Sequence, residues 1–349
     1  MDSISDIRKK IIAALFPTGV PRLWCPLLTH YRGDGTIDFD RMSRHFSHIV
    51  PAVKGYLIPG STGDGWVLDE KQTLQVSDFA VQQAQKYDVH LLLGVLKNDT
   101  ESMIRTISSM LGVDVRKQSR DEVARILMDK HICGFTVCPP TGKTLTQSEI
   151  TAGLSAILDL GLPTALYQLP QVTGNEMEPA TFAGLRQSYA NLILFKDSSG
   201  QDRIALSDFN KEGIFMVRGA EGDYAKWLKD VNGPYDGFLL SIANSFAWEL
   251  NTLIERLESG DRKKAEEISD RLTTAVNSVF ALVQPLTYGN PFTNANKAID
   301  HFFAFGPDTI VKNGPMLHTK VRLPADIIEA TKDILVRCRL MPGKGYLEG

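Results

Sequence analysis

Lys196 ends an apolar run. Leu192, Ile193, Leu194 and Phe195 precede it with no polar buffer, and Asp197, Ser198, Ser199 and Gly200 follow at once. A lysine at the rim of a buried strand has two fates. It can reach solvent and pair with a carboxylate such as Asp197, or it can stay desolvated with a depressed pKa. In the second case its neutral amine attacks a carbonyl and forms a Schiff base. Tyr167 ends another apolar run, PTALYQLP (163–170), and its phenol can carry the protons that carbinolamine formation, dehydration and carbon–carbon cleavage all require. The alternative for Tyr167 is a packed tyrosine bonded to backbone. A third stretch, GSTGDG (60–65), sets Ser61 and Thr62 between glycines. Backbone N–H and hydroxyl groups converge on an anion in such a turn, and a substrate carboxylate fits it. A tight turn with purely geometric glycines is the plainer reading.

These groups cooperate only if the strands that carry them share one end. Eight β-rich runs recur along the chain: 23–28, 55–60, 89–96, 134–140, 163–170, 192–196, 214–219 and 235–242. Most are continuous Val, Ile, Leu and Phe rather than alternating, the mark of strands buried on both faces of a parallel sheet. Helical patterns separate them, including FDRMSRHFSHIVP, DEKQTLQVSDFAVQQAQKY and SEITAGLSAILDLG. Strand then helix, eight times, predicts an α/β fold, the (β/α)8 barrel, in preference to an open doubly wound sheet. Residues 99–130 read as two helices broken near LGVDVRKQS. A leading helix falls within 1–19, the barrel within 20–244, and a helical extension with a break at Gly260 within 245–349. Active sites of such barrels lie at the C-terminal strand ends, which is where Lys196, Tyr167 and GSTGDG stand.

Bulk properties narrow the class of partner. A formal net charge of -3 gives no electrostatic case for nucleic acid or a membrane surface. Apolar stretches fall short of the roughly 18 residues of a membrane span, and MDSISDIRKK lacks the layout of a secretion signal. Cys25, Cys133, Cys138 and Cys338 show no CxxC pairing, which suits free thiols in a reducing compartment. The expectation is a soluble cytoplasmic enzyme.

GSTGD, YQLP and KDSSG, in this order at successive strand ends, resemble the dihydrodipicolinate synthase/N-acetylneuraminate lyase superfamily over about residues 20–340. The resemblance implies a class I, pyruvate-dependent lyase without metal or other cofactor, acting on pyruvate and an aldehyde, commonly as a dimer or tetramer. Residue by residue, Lys196 resembles the Schiff-base lysine and Tyr167 the proton-shuttling tyrosine. Ser61 and Thr62, with Gly60 before them, resemble the carboxylate anchor. Leu240 falls where the family packs the pyruvate methyl, and Gly219, Glu221, Ser241 and Asn244 where it lines the second-substrate pocket.

The departures bear on that second substrate. Asp64 and Gln168 replace the usual Glu and Asn. Pro140 and Thr141 stand where synthases place a relay tyrosine. Pro170 to Gly174 contain no arginine to grip the carboxylate of aspartate semialdehyde. Gln171, Ser198, Ser199 and Ser241 offer neutral hydrogen bonds, which suits a 2-keto-3-deoxy sugar acid. Trp66 nearby keeps an aromatic aldehyde open, and a dehydratase or hydratase-aldolase shares the imine chemistry. A non-catalytic keto-acid or sugar-acid binder is the rival outside enzymology. GKT at 142–144 lacks the glycine a phosphate loop needs, since Val137 stands five residues before Gly142. His45 and His48 read as a surface or interface pair rather than metal ligands.

Overall fold

A computed structural model describes residues 2–348. Eight parallel strands close into a barrel in chain order: β1 (Leu23–Cys25), β2 (Gly55–Ile58), β3 (His90–Val95), β4 (Ile132–Val137), β5 (Thr164–Gln168), β6 (Leu192–Asp197), β7 (Phe215–Arg218) and β8 (Gly237–Leu239). Leu23 paired with Phe238 closes the ring. Around it run α1 (Ile4–Leu15), α2 (Phe39–Ile49), α3 (Glu70–Tyr87), α4 (Thr100–Leu111), α5 (Arg120–Asp129), α6 (Gln147–Leu158), the single turn α7 (Pro170–Thr173) and α8 (Pro179–Ser188). The fold is a (β/α)8 barrel followed by C-terminal helices α9 (Ala247–Glu258), α10 (Arg262–Val283), α11 (Pro291–Phe305) and α12 (Ala325–Arg337).

The strand–helix alternation lapses in one quarter of the barrel. Between β6 and β7, residues 198–214 form turns with no helix, and between β7 and β8 there are only two short 3-10 turns. Left-handed backbone at Gly200 and Asp202 and at Glu212 and Gly213 turns the chain at both ends of this stretch.

The barrel interior is layered. Trp24, Leu57, Leu92, Ala165, Leu194, Val217 and Leu239 form a lower apolar layer, and Ile11, Ile12 and Leu15 of α1 with Phe16 plug it from below. Side chains two residues apart share a strand face. Ala165 and Leu194 in that layer therefore put Tyr167 and Lys196 above it, pointing inward. Arg8 of α1 is fully buried beneath the same strands. Its guanidinium donates to the Leu192 carbonyl at 2.7 Å and to those of Tyr189 (2.8 Å) and Arg186 (2.5 Å). This holds the start of the lysine strand.

Helix α11 is buried almost all round, from Thr293 to Ala304. Such a helix must pair its polar side chains internally. Asn290 caps it by accepting from Phe292 N–H at 2.9 Å, and Pro291 sits at its first position, where a missing N–H costs nothing. The helix packs on the Ser241–Asn244 turn above β8 and reaches the barrel mouth.

Candidate active site

Tyr167 and Lys196 are paired across β5 and β6. The Lys196 ammonium nitrogen lies 4.0 Å from the centre of the Tyr167 ring. Lys196 is only 3% exposed, and burial brings its pKa from 10.5 down to about 7. Glu221 opposes that shift. The nearby Cys25 and Cys138 thiols are held protonated by burial, so near neutral pH they do not stabilise the ammonium. The Asp197 carboxylate is turned elsewhere, as strand alternation requires. Its Oδ1 accepts from the N–H (2.9 Å) and hydroxyl (2.6 Å) of Ser199. Burial also pushes the Tyr167 hydroxyl up, so it keeps its proton at neutral pH.

A small cavity of about 20 Å³ opens above this pair, walled by Ser61, Thr62, Tyr167, Ser198, Gly219 and Ser241 and by Leu169 and Phe292. That is room for about one water-sized centre, so a three-carbon keto acid needs the wall to move outward. Gly219 is a steric requirement: a Cβ there would fall 2.2 Å from Ser198 Oγ and 2.7 Å from Lys196 Cε. The turn carrying Ser61 and Thr62 is tied through Gly60, whose carbonyl accepts from Gly63 and Gly65 N–H at 3.0 Å each. A Cβ at Gly63 would lie 2.4 Å from the Leu27 carbonyl. Gly60 is thus a backbone anchor behind the cavity.

Four other positions singled out from sequence stand one step back. Leu240 is fully buried in the main apolar core and does not line the cavity. Glu221 supports Ser241. It accepts from the Ser241 hydroxyl at 2.6 Å and backbone N–H at 2.9 Å, and from Tyr224 at 2.9 Å. Gln171, on α7, donates its amide to the carbonyls of Ser198 (3.1 Å) and Ser199 (3.4 Å) and lines a second, outer cavity. Asn244 braces loops, donating to the carbonyls of Pro26 (3.1 Å) and Ser241 (2.8 Å) and accepting from Leu28 N–H (2.8 Å).

The C-terminal extension supplies neighbours that the sequence motifs did not indicate. Asn290 donates to the Ser61 carbonyl at 3.0 Å, and Thr293 donates to the Thr62 carbonyl at 2.9 Å. Lys297 is fully buried, 3.5 Å from Asp64 and 4.3 Å from the centre of the Tyr31 ring. Tyr31 in turn donates to Asp64 at 3.0 Å. Burial lowers Lys297 to about 8, with Asp64 opposing the shift. Asp64, in left-handed backbone, is therefore the point where the extension grips the GSTGD turn. A polar set on α11 facing a turn over 200 residues earlier carries no local sequence signature.

His45 requires a correction. It is fully buried, and only His48 reaches the surface in part. The amphipathic α2 turns His45 inward, where it meets the Asn244 carbonyl at 2.6 Å and His30 at 2.9 Å. With Asp300 these two histidines place three potential ligand atoms within 4.8 Å of one another. The hydrogen bonds engage both nitrogens of His45, while Arg41 (2.6 Å) and Tyr346 (3.0 Å) engage Asp300. The cluster is a buried polar network joining α2, α11 and the turn above β8. Among the described residues, no helix is long and apolar enough to cross a membrane.

Comparison with known proteins places this geometry in context. The chain is 25% identical over 260 residues to the 4-hydroxy-tetrahydrodipicolinate synthase of Streptococcus mutans, covering 74% of this chain and 82% of that one. It is 26% identical over 270 residues to the synthase of Endomicrobium trichonymphae, covering 76% and 84%. In three dimensions it superposes on YagE, a prophage protein of Escherichia coli K12 solved in complex with pyruvate, with a TM-score of 0.72 at 18% identity over 92% of this chain and 99% of that one. A monomeric dihydrodipicolinate synthase variant gives a TM-score of 0.71 at 16% identity, over 92% and 97%. The model of the Dihydrodipicolinate synthetase family matches residues 20–288, the whole barrel and the first two helices of the extension, and the chain therefore belongs to that family of lyases.

Proposed function

We propose that the protein is a Schiff-base lyase that makes or breaks the bond between pyruvate and an aldehyde, with Lys196 as the nucleophile. The observation that carries this is the desolvated Lys196 amine stacked on Tyr167 inside a closed barrel mouth. Burial favours the neutral amine near pH 7. A neutral amine attacks C2 of a 2-keto acid, and Tyr167 protonates the departing carbinolamine oxygen, which leaves as water. The phenolate so formed takes the C4 hydroxyl proton. The C3–C4 pair then moves into the imine, releasing the aldehyde and an enamine. Protonation at C3 and hydrolysis return pyruvate and the free lysine. Ser61 and Thr62 hold the keto-acid carboxylate, and Ser198, beside the Tyr167 hydroxyl, orients it. No further cofactor is required, because the imine itself is the electron sink.

The acceptor differs from that of the named relatives. No lysine or arginine lines either cavity near Lys196 besides Lys196 itself, so an aldehyde carrying a carboxylate finds no guanidinium. The expected fit to a 2-keto-3-deoxy sugar acid rests on free hydroxyl and amide groups. Gln171, Ser199 and Ser241 already donate to protein oxygens. Ser198, the remaining hydroxyl, is engaged with Tyr167.

Deuterium exchange tests the imine without knowledge of the aldehyde. In heavy water, tautomerisation of a pyruvyl imine to its enamine replaces the methyl protons of pyruvate, and NMR follows their loss. Exchange that Lys196→Ala abolishes and EDTA leaves intact is expected. A barrel that only binds keto acids gives none, and loss with EDTA points to a metal-held enolate.

A further inference from the structure

A third cavity, of about 810 Å³, lies away from Lys196 and shares no lining residue with the two around it. Its volume is within the range of small-molecule sites. One wall is the loop before α2 and the first turns of α2. The other is the end of α11 and the chain beyond it, from His301 to Leu347. That second wall lies past residue 288, where the matched family stretch ends. Arg41 and Arg44, three residues apart, share one face of α2. With Arg32 and Arg322 they put four guanidiniums in the lining. Arg32 is paired with Asp40 at 2.8 Å and lies 3.6 Å from Asp38, and Arg41 is paired with Asp300 at 2.6 Å. Among the described residues no ion pair uses Arg44 or Arg322, and Arg322 donates to the Gly314 carbonyl at 2.8 Å. The buried Nε of Arg41 and Nδ1 of His301 have no hydrogen-bond partner. His301 is only 1% exposed, and burial lowers it to about 4, so it is a neutral polar group here. The Arg41 guanidinium lies 5.1 Å over the Phe305 ring, and Phe305 and Ile310 are exposed apolar side chains of the same lining. Unpaired guanidiniums recognise phosphate or carboxylate, and apolar side chains beside them reward a ligand with an apolar body.

We propose that this cavity is a second binding site, for a small organic anion, whose phosphate or carboxylate meets Arg44 and Arg322 and whose apolar body lies against Phe305 and Ile310. The site is independent of the imine reading, since no residue of the lysine cavity takes part in it. Its inner wall includes Tyr31, which donates to Asp64, and Met316, whose carbonyl accepts from Lys297 at 3.3 Å. An occupant therefore sits behind the contact by which α11 grips the GSTGD turn.

The test titrates the full chain, by ligand-observed NMR, with phenyl phosphate, benzoate, inorganic phosphate, benzyl alcohol and benzylamine. Phenyl phosphate or benzoate should bind with a Kd below about 1 mM, at least about tenfold tighter than benzyl alcohol or benzylamine, and the tighter of the two anions names the head group. Added salt should weaken that binding. Arg44 and Arg322 are both exposed, so Arg44→Ala and Arg322→Ala leave the core intact. Each should weaken binding about tenfold. Phe292→Ala, in the walls of both cavities near Lys196, should leave it unchanged. Equal binding of the neutral or cationic ring overturns the anion assignment. Inorganic phosphate binding as tightly as the ring-bearing anions overturns the role of Phe305 and Ile310. Full affinity in both arginine variants, with loss in Phe292→Ala, puts the anion at the barrel mouth and overturns the site itself.

Discussion

Replacing Lys196 by methionine should make the protein more stable near neutral pH, and the gain should fade as pH rises. The native pKa of about 7 lies some 3.5 units below the ordinary 10.5. At about 1.36 kcal/mol per unit, holding the ammonium in the barrel costs about 5 kcal/mol, and water entry reduces this to about 2–5 kcal/mol. The sign follows from proton counts. Between pH 7 and 10.5 the unfolded chain holds a proton on this amine that the native chain lacks, so stability from this group rises with pH across that window and falls as pH drops toward 7. Below pH 7 both states are protonated and the full cost applies. Methionine has similar length, no charge and no hydrogen-bonding requirement. Urea unfolding of wild type and Lys196→Met at pH 7, 8 and 9 isolates the term, because Lys297 and every other titrating group is common to both. The variant should lead by about 2–5 kcal/mol at pH 7, and the lead should shrink by up to about 1.4 kcal/mol per pH unit. A difference that stays constant from pH 7 to 9 would mean Lys196 remains charged in the native state, and the desolvation argument would fail.

Three further outcomes follow from the same geometry. Tyr167→Phe keeps the ring under Lys196 but removes the proton that both imine formation and cleavage use, so pyruvate trapping should slow and aldol turnover should drop about 10²- to 10⁴-fold, read by product assay and by the time course of adduct formation. Ser61→Ala removes a hydroxyl from the cavity wall, and the pyruvate concentration for half-maximal trapping should rise about tenfold or more, as for loss of one charge-assisted hydrogen bond. Gly219→Ala drives a Cβ to 2.7 Å from Lys196 Cε, and trapping should be lost while the circular dichroism spectrum of the barrel is retained.

The barrel and its two central residues were legible because each depends on short-range pattern. Continuous apolar runs marked the eight strands, and the break at LGVDVRKQS correctly divides α4 from α5. Lys196 and Tyr167 could be read because each ends such a run, and strand periodicity then turned both inward. Residues 198–214 were less transparent, since the strand–helix alternation suggested a helix where Asp202, Glu212 and two glycines adopt left-handed backbone. His45 and His48 looked alike at three-residue spacing, but the amphipathic face of α2 buries one and leaves the other at the edge. Leu240 and Ser241 were both singled out from sequence, and in the fold Ser241 lines the cavity while Leu240 packs into the main apolar core. Phe292, Asn290, Thr293 and Lys297 were not readable. They reach the GSTGD turn only through tertiary packing of α11, a contact spanning more than 200 residues.

Borohydride trapping tests the central claim most directly. The protein is incubated with pyruvate, reduced, digested and mapped by mass spectrometry, with Lys196→Ala alongside. The account predicts one pyruvyl adduct on the peptide that carries Lys196, absent in the variant. A folded wild-type protein that yields no adduct, or yields one on another lysine such as Lys297, would contradict it.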